Sequence, residues 1–327
     1  MIKNPLLIIF SIAALLLFYN CNSIEPPVNG NGQDTTSHNF TWQTWTFGEH
    51  STSVLYDVAI IDENNIWAVG EIYLNDSLGQ PDTEPYAVAR WDGTIWALMK
   101  VSYHDFNQTV KHPGPLFTVA VIEGEIYAVS YANLLKWTGS DWEEKAFFME
   151  QIPFDGQVLK MWGIDQNNIY CVGRNGAIYY YFGTSWQKIE SGTDLHLYDI
   201  YGDYSETDGT YEILVVAANR SVSFDKEILK ISSTTTVTSL ATEGIPHSIV
   251  DIWFKANKKY YVCGAGLFSK SNVEMNEPWE ELTASSVYLE SIDGNRLNDI
   301  VICGSFGELL HYNGASWESF EDMPGGS

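Results

Sequence analysis

The hexapeptide Trp91-Asp-Gly-Thr-Ile-Trp96 returns three times further along the chain, as Trp137-Thr-Gly-Ser-Asp-Trp142, Tyr181-Phe-Gly-Thr-Ser-Trp186 and Tyr312-Asn-Gly-Ala-Ser-Trp317. Each copy reads aromatic, any residue, Gly, two residues, Trp. The pairs Asp92-Gly93 and Asn313-Gly314 are hairpin-turn chemistry, because Gly takes positive φ without steric cost. The closing residues Trp96, Trp142 and Trp186 are 46 and 44 residues apart. A period in that range, built on strands, predicts the blades of a β-propeller.

Working outward from each copy, the chain resolves into units of four strands. A first strand is apolar or alternating, as in Leu55-Tyr-Asp-Val-Ala-Ile-Ile61, Leu197-Tyr-Asp-Ile-Tyr201 and Ile249-Val-Asp-Ile-Trp253. Turns rich in Asp, Asn and Gly follow, such as Asp62-Glu-Asn-Asn65 and Asp165-Gln-Asn-Asn168. The second strand has no polar alternation, as in Ile66-Trp-Ala-Val-Gly70 and Ile169-Tyr-Cys-Val-Gly173, which suits a strand covered on both faces. Its small last residue lets the chain turn or lets two backbones approach. The third strand runs into the opening aromatic of the hexapeptide, and the polar fourth strand starts around the closing Trp. Tyr179, Tyr180 and Tyr181 fill such a third strand.

Six units result, at about 52–100, 114–148, 157–190, 195–243, 246–283 and 286–322. The expected fold is all-β: a single propeller of six four-stranded antiparallel blades, with seven as the alternative, over residues 41–327. The open alternative arises from Thr41-Trp-Gln-Thr-Trp-Thr-Phe47, which reads as a spare outer strand. Pairing of terminal strands is a common way to close such a ring and protect its edge. In the fourth unit the outer strand is expected in Ser232-Ser-Thr-Thr-Thr-Val-Thr238.

The aromatic-x-Gly-x-x-Trp turn resembles a degenerate Asp-box (BNR) repeat, as in sialidase-like, sortilin-type and photosystem-II assembly-factor-like propellers. Trp91, Trp137, Tyr181 and Tyr312 stand where that repeat carries its Asp. The resemblance implies the fold. Sialidase-like catalysis would need three converging arginines, and the chain has four: Arg90, Arg174, Arg220 and Arg296. Arg90 lies in a third strand, Arg174 follows a second strand and Arg296 sits in a first-to-second turn, so convergence is not expected. No Ser-His-Asp signature, zinc-binding His spacing, P-loop or dinucleotide fingerprint is visible.

Composition narrows the partners. Seventeen Lys and Arg stand against 42 Asp and Glu, a net charge of −25. Such a balance excludes nucleic acid as a partner, since its binders need basic patches. The first residues form an address. Lys3 precedes an apolar run from Leu6 to Phe18, too short to span a membrane comfortably, and Cys21 follows. This arrangement resembles a bacterial lipoprotein signal: residues 1–20 as signal peptide, Cys21 as the lipidated residue and a Pro-, Gly- and Asn-rich tether over 21–40. The implied location is the cell envelope, periplasmic or surface-exposed, with the lipid holding the protein to a membrane. Cys171, Cys263 and Cys303 fall in second strands and read as buried hydrophobes.

Two long insertions interrupt the period, and long loops on a rigid scaffold often carry function. Tyr73 to Pro85 carries Asp76, Asp82 and Glu84. Val101 to Pro115 carries Tyr103, His104, Asp105, Lys111 and His112. These side chains are the candidate binding residues. No cofactor is required, although their carboxylates and imidazoles could take Ca²⁺ or another metal. The expected function is a noncatalytic binding or assembly scaffold for an envelope protein or a glycan. The competing expectation is a carbohydrate-active enzyme, glycosidase- or sialidase-like, using carboxylates on the loop-rich face.

Overall fold

A computed structural model describes residues 34–320 except 51, 81, 106, 108, 113, 132, 148–156, 222, 223, 234 and 235. Cys21, the signal segment and most of the expected tether lie outside the described residues. Among the described residues the chain forms six sheets, each built on four antiparallel blade strands in the order first-second-third-fourth, arranged as a propeller. The first strands are Val54–Asp62, Thr118–Ile122, Val158–Asp165, His196–Ser205, Ile249–Lys255 and Leu289–Arg296. From blade one to blade six, each packs on the first strand of the next blade and so lines the centre. No helix among the described residues is long and apolar enough to cross a membrane.

The second strands justify their unbroken apolar runs. Val69, Val129, Val172 and Val216 are fully buried, each contributing about 1.5–3 kcal/mol of burial. Five apolar clusters are each shared by two successive blades, so the core lies between sheets. Gly70 and Gly173 end their strands where the start of the first strand crosses. A Cβ at either position would sit 2.1 Å from a backbone carbonyl oxygen, of Val54 or of Gln157. That close approach is the reason for the small residue. Tyr179, Tyr180 and Tyr181 fill the third strand of blade three, all buried. Cys171, Cys263 and Cys303 are buried, and none of the three is in a disulfide.

The hexapeptide makes the hairpin between third and fourth strands. Its two aromatics face each other directly across the ladder: Trp91 with Trp96, Trp137 with Trp142, Tyr181 with Trp186 and Tyr312 with Trp317. Their ring centroids are 5.0–5.6 Å apart, a favourable cross-strand pairing. The Asp92 carboxylate accepts from the Thr94 and Ile95 N–H groups at 2.8 and 2.9 Å, and Asn313 Oδ1 accepts from Ala315 and Ser316 at 2.9 and 3.0 Å. Gly93 and Gly314 hold φ of +94° and +96° and lie against Asn64 and Asn298 of the first-to-second turn. The motif therefore ties together the two turns at one end of a blade.

Three expectations change. Residues 41–47 form no strand and pair with no sheet. The segment is a strap instead: Trp42 packs on Phe320 of blade six, while Trp45 and Phe47 pack on Trp96 of blade one. Its rings serve two different blades, which a strand with one buried face could not do. Six blades thus close without a spare strand. In blade four the outer strand is Thr236–Leu240, because Ser232 and Ser233 still belong to the third strand, Lys226–Ser233. Finally, the insertion after blade one folds as a small hairpin, Tyr103–His104 and Val110–Lys111. It extends blade two by pairing parallel with the fourth strand, Trp142–Phe147.

Candidate functional site

The first strands place one polar side chain per blade at the same height in the central channel. These are Asp57, Thr118, Lys160, Asp199, Asp251 and Ser291, each opposite Val69, Val129, Val172, Val216, Cys263 and Cys303 respectively. In five blades the register shifts by one residue just before this position. Such a bulge re-aims the side chain that follows it.

The ring residues hold successive blades to one another. Asp57 accepts from the Thr118 hydroxyl at 2.7 Å, the Val119 N–H at 3.0 Å and the Lys160 ammonium at 2.8 Å. Thr118 Oγ1 accepts from the Met161 N–H at 3.2 Å, and Asp199 accepts from the Ile252 N–H at 3.2 Å. In each case the ring residue of one blade takes the N–H just after the ring residue of a following blade. Asp199 also bonds to Asp251, which bonds to Ser291.

Electrostatics follow from this geometry. Burial raises the Asp251 carboxyl well above the usual range, and the neighbouring Asp199 pushes it further. Burial raises Asp199 too, although Lys160 and the hydrogen bonds it accepts oppose the rise. Asp251 is therefore the member of the pair that keeps its proton and donates it. Burial would lower the Lys160 ammonium, but Asp57, Asp199 and Asp251 outweigh it and hold it above its ordinary value. About a third of that side chain stays open to the cavity.

The cavity above and around this ring measures about 390 Å³. Its mouth carries Arg220, which holds Glu290 through two contacts of 3.0 Å and lies 4.8 Å from the Tyr288 ring centre. At the seam between blades six and one the cavity reaches outward to Val301 and Cys303. Among the described residues no group of three or more His, Cys, Asp or Glu side chains is placed to hold a metal ion.

The residues singled out by the two insertions occupy other ground, and none of them lines the cavity. Asp76 accepts from the N–H groups of Leu78 and Gln80, both at 2.8 Å. Asp82 accepts from the Glu84 N–H at 3.1 Å and pairs with Lys100 at 2.6 Å, which holds its carboxyl below the usual range. Glu84 is exposed. Tyr103 is buried, accepts from Asn133, and has its hydroxyl pushed up to about 12 by burial. His104 lies 3.6 Å from Asp141, while Asp105 accepts from Asn107 and Thr109 at 3.0 and 2.8 Å. His112 is exposed. The structure thus gathers them into two groups, one in the blade-one loop and one along the edge of blade two. Of the arginines, Arg220 alone among the described residues lines the cavity; Arg90 lies 4.7 Å over Trp67 instead.

The ring itself escaped the sequence reading. Its signal was available: Asp57, Asp199 and Asp251 each precede Val or Ile at one position of the first strand. A single acidic residue in an alternating strand normally marks the solvent face, so the repeat of the residue type was the only clue.

No protein-family model matches the chain, and no curated protein does. Among solved structures it is similar to YCF48 bound to D1 peptide, with a TM-score of 0.59, 16% identity, and 85% of each chain covered. It is also similar to YCF48 from Cyanidioschyzon merolae, at 0.55 and 16%, covering 86% of this chain and 90% of that one. Virginiamycin B lyase from Staphylococcus aureus gives 0.57 and 9%, covering 86% and 88%. The likeness is one of fold. Those propellers include both a peptide-bound protein and a lyase, so the shared architecture does not choose between binding and catalysis.

Proposed function

We propose that the chain is a noncatalytic binding or assembly scaffold, held to the cell envelope by lipid on Cys21, whose partner docks on the loop-rich face. One observation carries this reading: the polar groups of the central ring are engaged with one another and with neighbouring backbones. Asp57 serves Thr118, Val119 and Lys160, while Asp199 serves Ile252 and Asp251. Glycosidic cleavage needs two carboxyl groups about 5–10 Å apart with a sugar between them. Asp199 and Asp251 touch directly, and their proton is shared within the pair. A protein partner is favoured over a glycan by the likeness to a propeller that was solved with a peptide bound.

Affinity capture from native envelopes tests the proposal. The wild-type chain should retain a discrete envelope protein, and replacing residues 74–84 by a short turn should reduce that capture at least about tenfold, as loss of a central contact group does. Undiminished capture by the shortened chain would remove the loop from the docking face. Cleavage of an added glycan by the wild type would replace the scaffold reading with an enzymatic one.

A further inference from the structure

Where blades one and two meet on the loop-rich face, three aromatic side chains adjoin. The Tyr56 and Phe117 ring centres are 5.3 Å apart, and Phe117 and Tyr131 are 5.2 Å apart, in edge contact. Behind this ledge lies Glu71. It accepts from the Tyr56 hydroxyl at 3.0 Å and, at 3.5 Å, from the hydroxyl of Tyr73. Tyr56 and Tyr131 are 41% and 53% exposed. Burial and the Glu71 contact together push the Tyr56 hydroxyl up to about 12.

The backbone beneath the ledge is unusual. Tyr131 holds φ of +48°, a left-handed conformation that bulky side chains rarely take. Phe306, at the second-to-third-strand turn of blade six, holds φ of +61° with 97% of its surface exposed. Two large aromatics are therefore kept in disfavoured conformations, Phe306 almost wholly exposed and Tyr131 about half exposed against Phe117. Strain of this kind persists where the surrounding fold imposes it, and it concentrates at binding surfaces.

Charge selects the occupant. Among the described residues no Lys or Arg pairs with Glu71, and the whole chain carries −25. Aromatic faces beside an uncompensated carboxylate attract an ammonium or guanidinium group. We infer that the ledge of Tyr56, Phe117 and Tyr131, backed by Glu71, binds an extended polypeptide segment through a Lys or Arg side chain. Phe306 lies further along the same face and would contact the segment's apolar residues. The inference rests on the scaffold reading above and names the chemistry of its partner.

The test uses the purified full chain and a fluorescein-labelled nonapeptide, Lys-Gly-Ser repeated three times, with anisotropy read at 0.15 M NaCl. A second peptide carries Glu in place of each Lys. The Lys peptide should bind and the Glu peptide should not. Tyr131→Ala and Glu71→Gln should each weaken binding about tenfold, within the range of cation–aromatic and charged contacts. Tyr211→Ala, which removes an exposed tyrosine in the first-to-second hairpin of blade four, should leave affinity unchanged. Equal affinity in wild type, Tyr131→Ala and Glu71→Gln would assign binding to the diffuse negative field and overturn the inference. So would absence of binding by the Lys peptide, or equal binding of the Glu peptide. None of those results touches the envelope capture, whose own failure would instead defeat the scaffold reading.

Discussion

Asp251 carries the sharpest consequence of the central ring. Its carboxyl is raised well above the unfolded value near 3.8, so the proton it holds stabilises the fold at low pH and must be lost as pH rises through the folded value. The unfolded chain releases that proton first, and stability falls by about 1.4 kcal/mol for each pH unit between the two values. Asn can replace the protonated carboxyl, donating to Asp199 and accepting from Ser291. Thermal melts of the wild type should lose stability relative to Asp251→Asn between pH 5 and pH 8. Parallel pH profiles would show that Asp251 is ionised in the folded protein. The hexapeptide glycines and the tyrosines of blade three were legible from sequence because local backbone and burial dictate them. The ring was not legible, because its partners come from other blades: Lys160 of blade three reaches Asp57 of blade one across 103 positions.

At the scale of an element, the strap shows how a periodic pattern misleads. Trp42, Trp45 and Phe47 suggest a strand because apolar residues recur closely, yet Trp42 packs on blade six while Trp45 and Phe47 pack on blade one. Backbone contacts fix the start of the strap: Thr36 donates its N–H to the Asn313 carbonyl at 2.9 Å and its hydroxyl to the Asn298 carbonyl at 2.6 Å. His38 and His311 meet at 2.9 Å, and His311 contacts Asp299 at 3.1 Å. Trp42 also covers the small cluster that contains Cys303, whose thiol burial pushes up to about 12. Trp42→Ala should cost about 2–4 kcal/mol, as removal of a large aromatic does. It should also open Cys303 to a thiol reagent at pH 8, while Cys171 and Cys263 remain protected. Mass spectrometry of the labelled protein checks this, and equal labelling of all three cysteines would mean global rather than local opening.

The whole molecule is a ring whose blades are joined unequally. Five junctions share continuous apolar clusters, whereas the sixth is made of two small clusters bridged by residues 34–48. The same residues lead upstream to Cys21, so the proposed lipid attachment would share one stretch of chain with ring closure. Cys21→Ser should move the protein from the membrane to the soluble fraction, as followed by fractionation and immunoblotting; unchanged retention would end the lipid-anchor reading. The fold was readable at this scale because its repeats are independent copies, but ring closure occurs once and leaves no repeat to detect. That single closure sets the mechanical behaviour of the body. Tension applied to the chain upstream of Asp34 enters blade six first, through Thr36 on Asn313 and Asn298 and through His38 on His311. A pulled molecule should therefore yield first at the junction of its last and first blades, with the other five still intact.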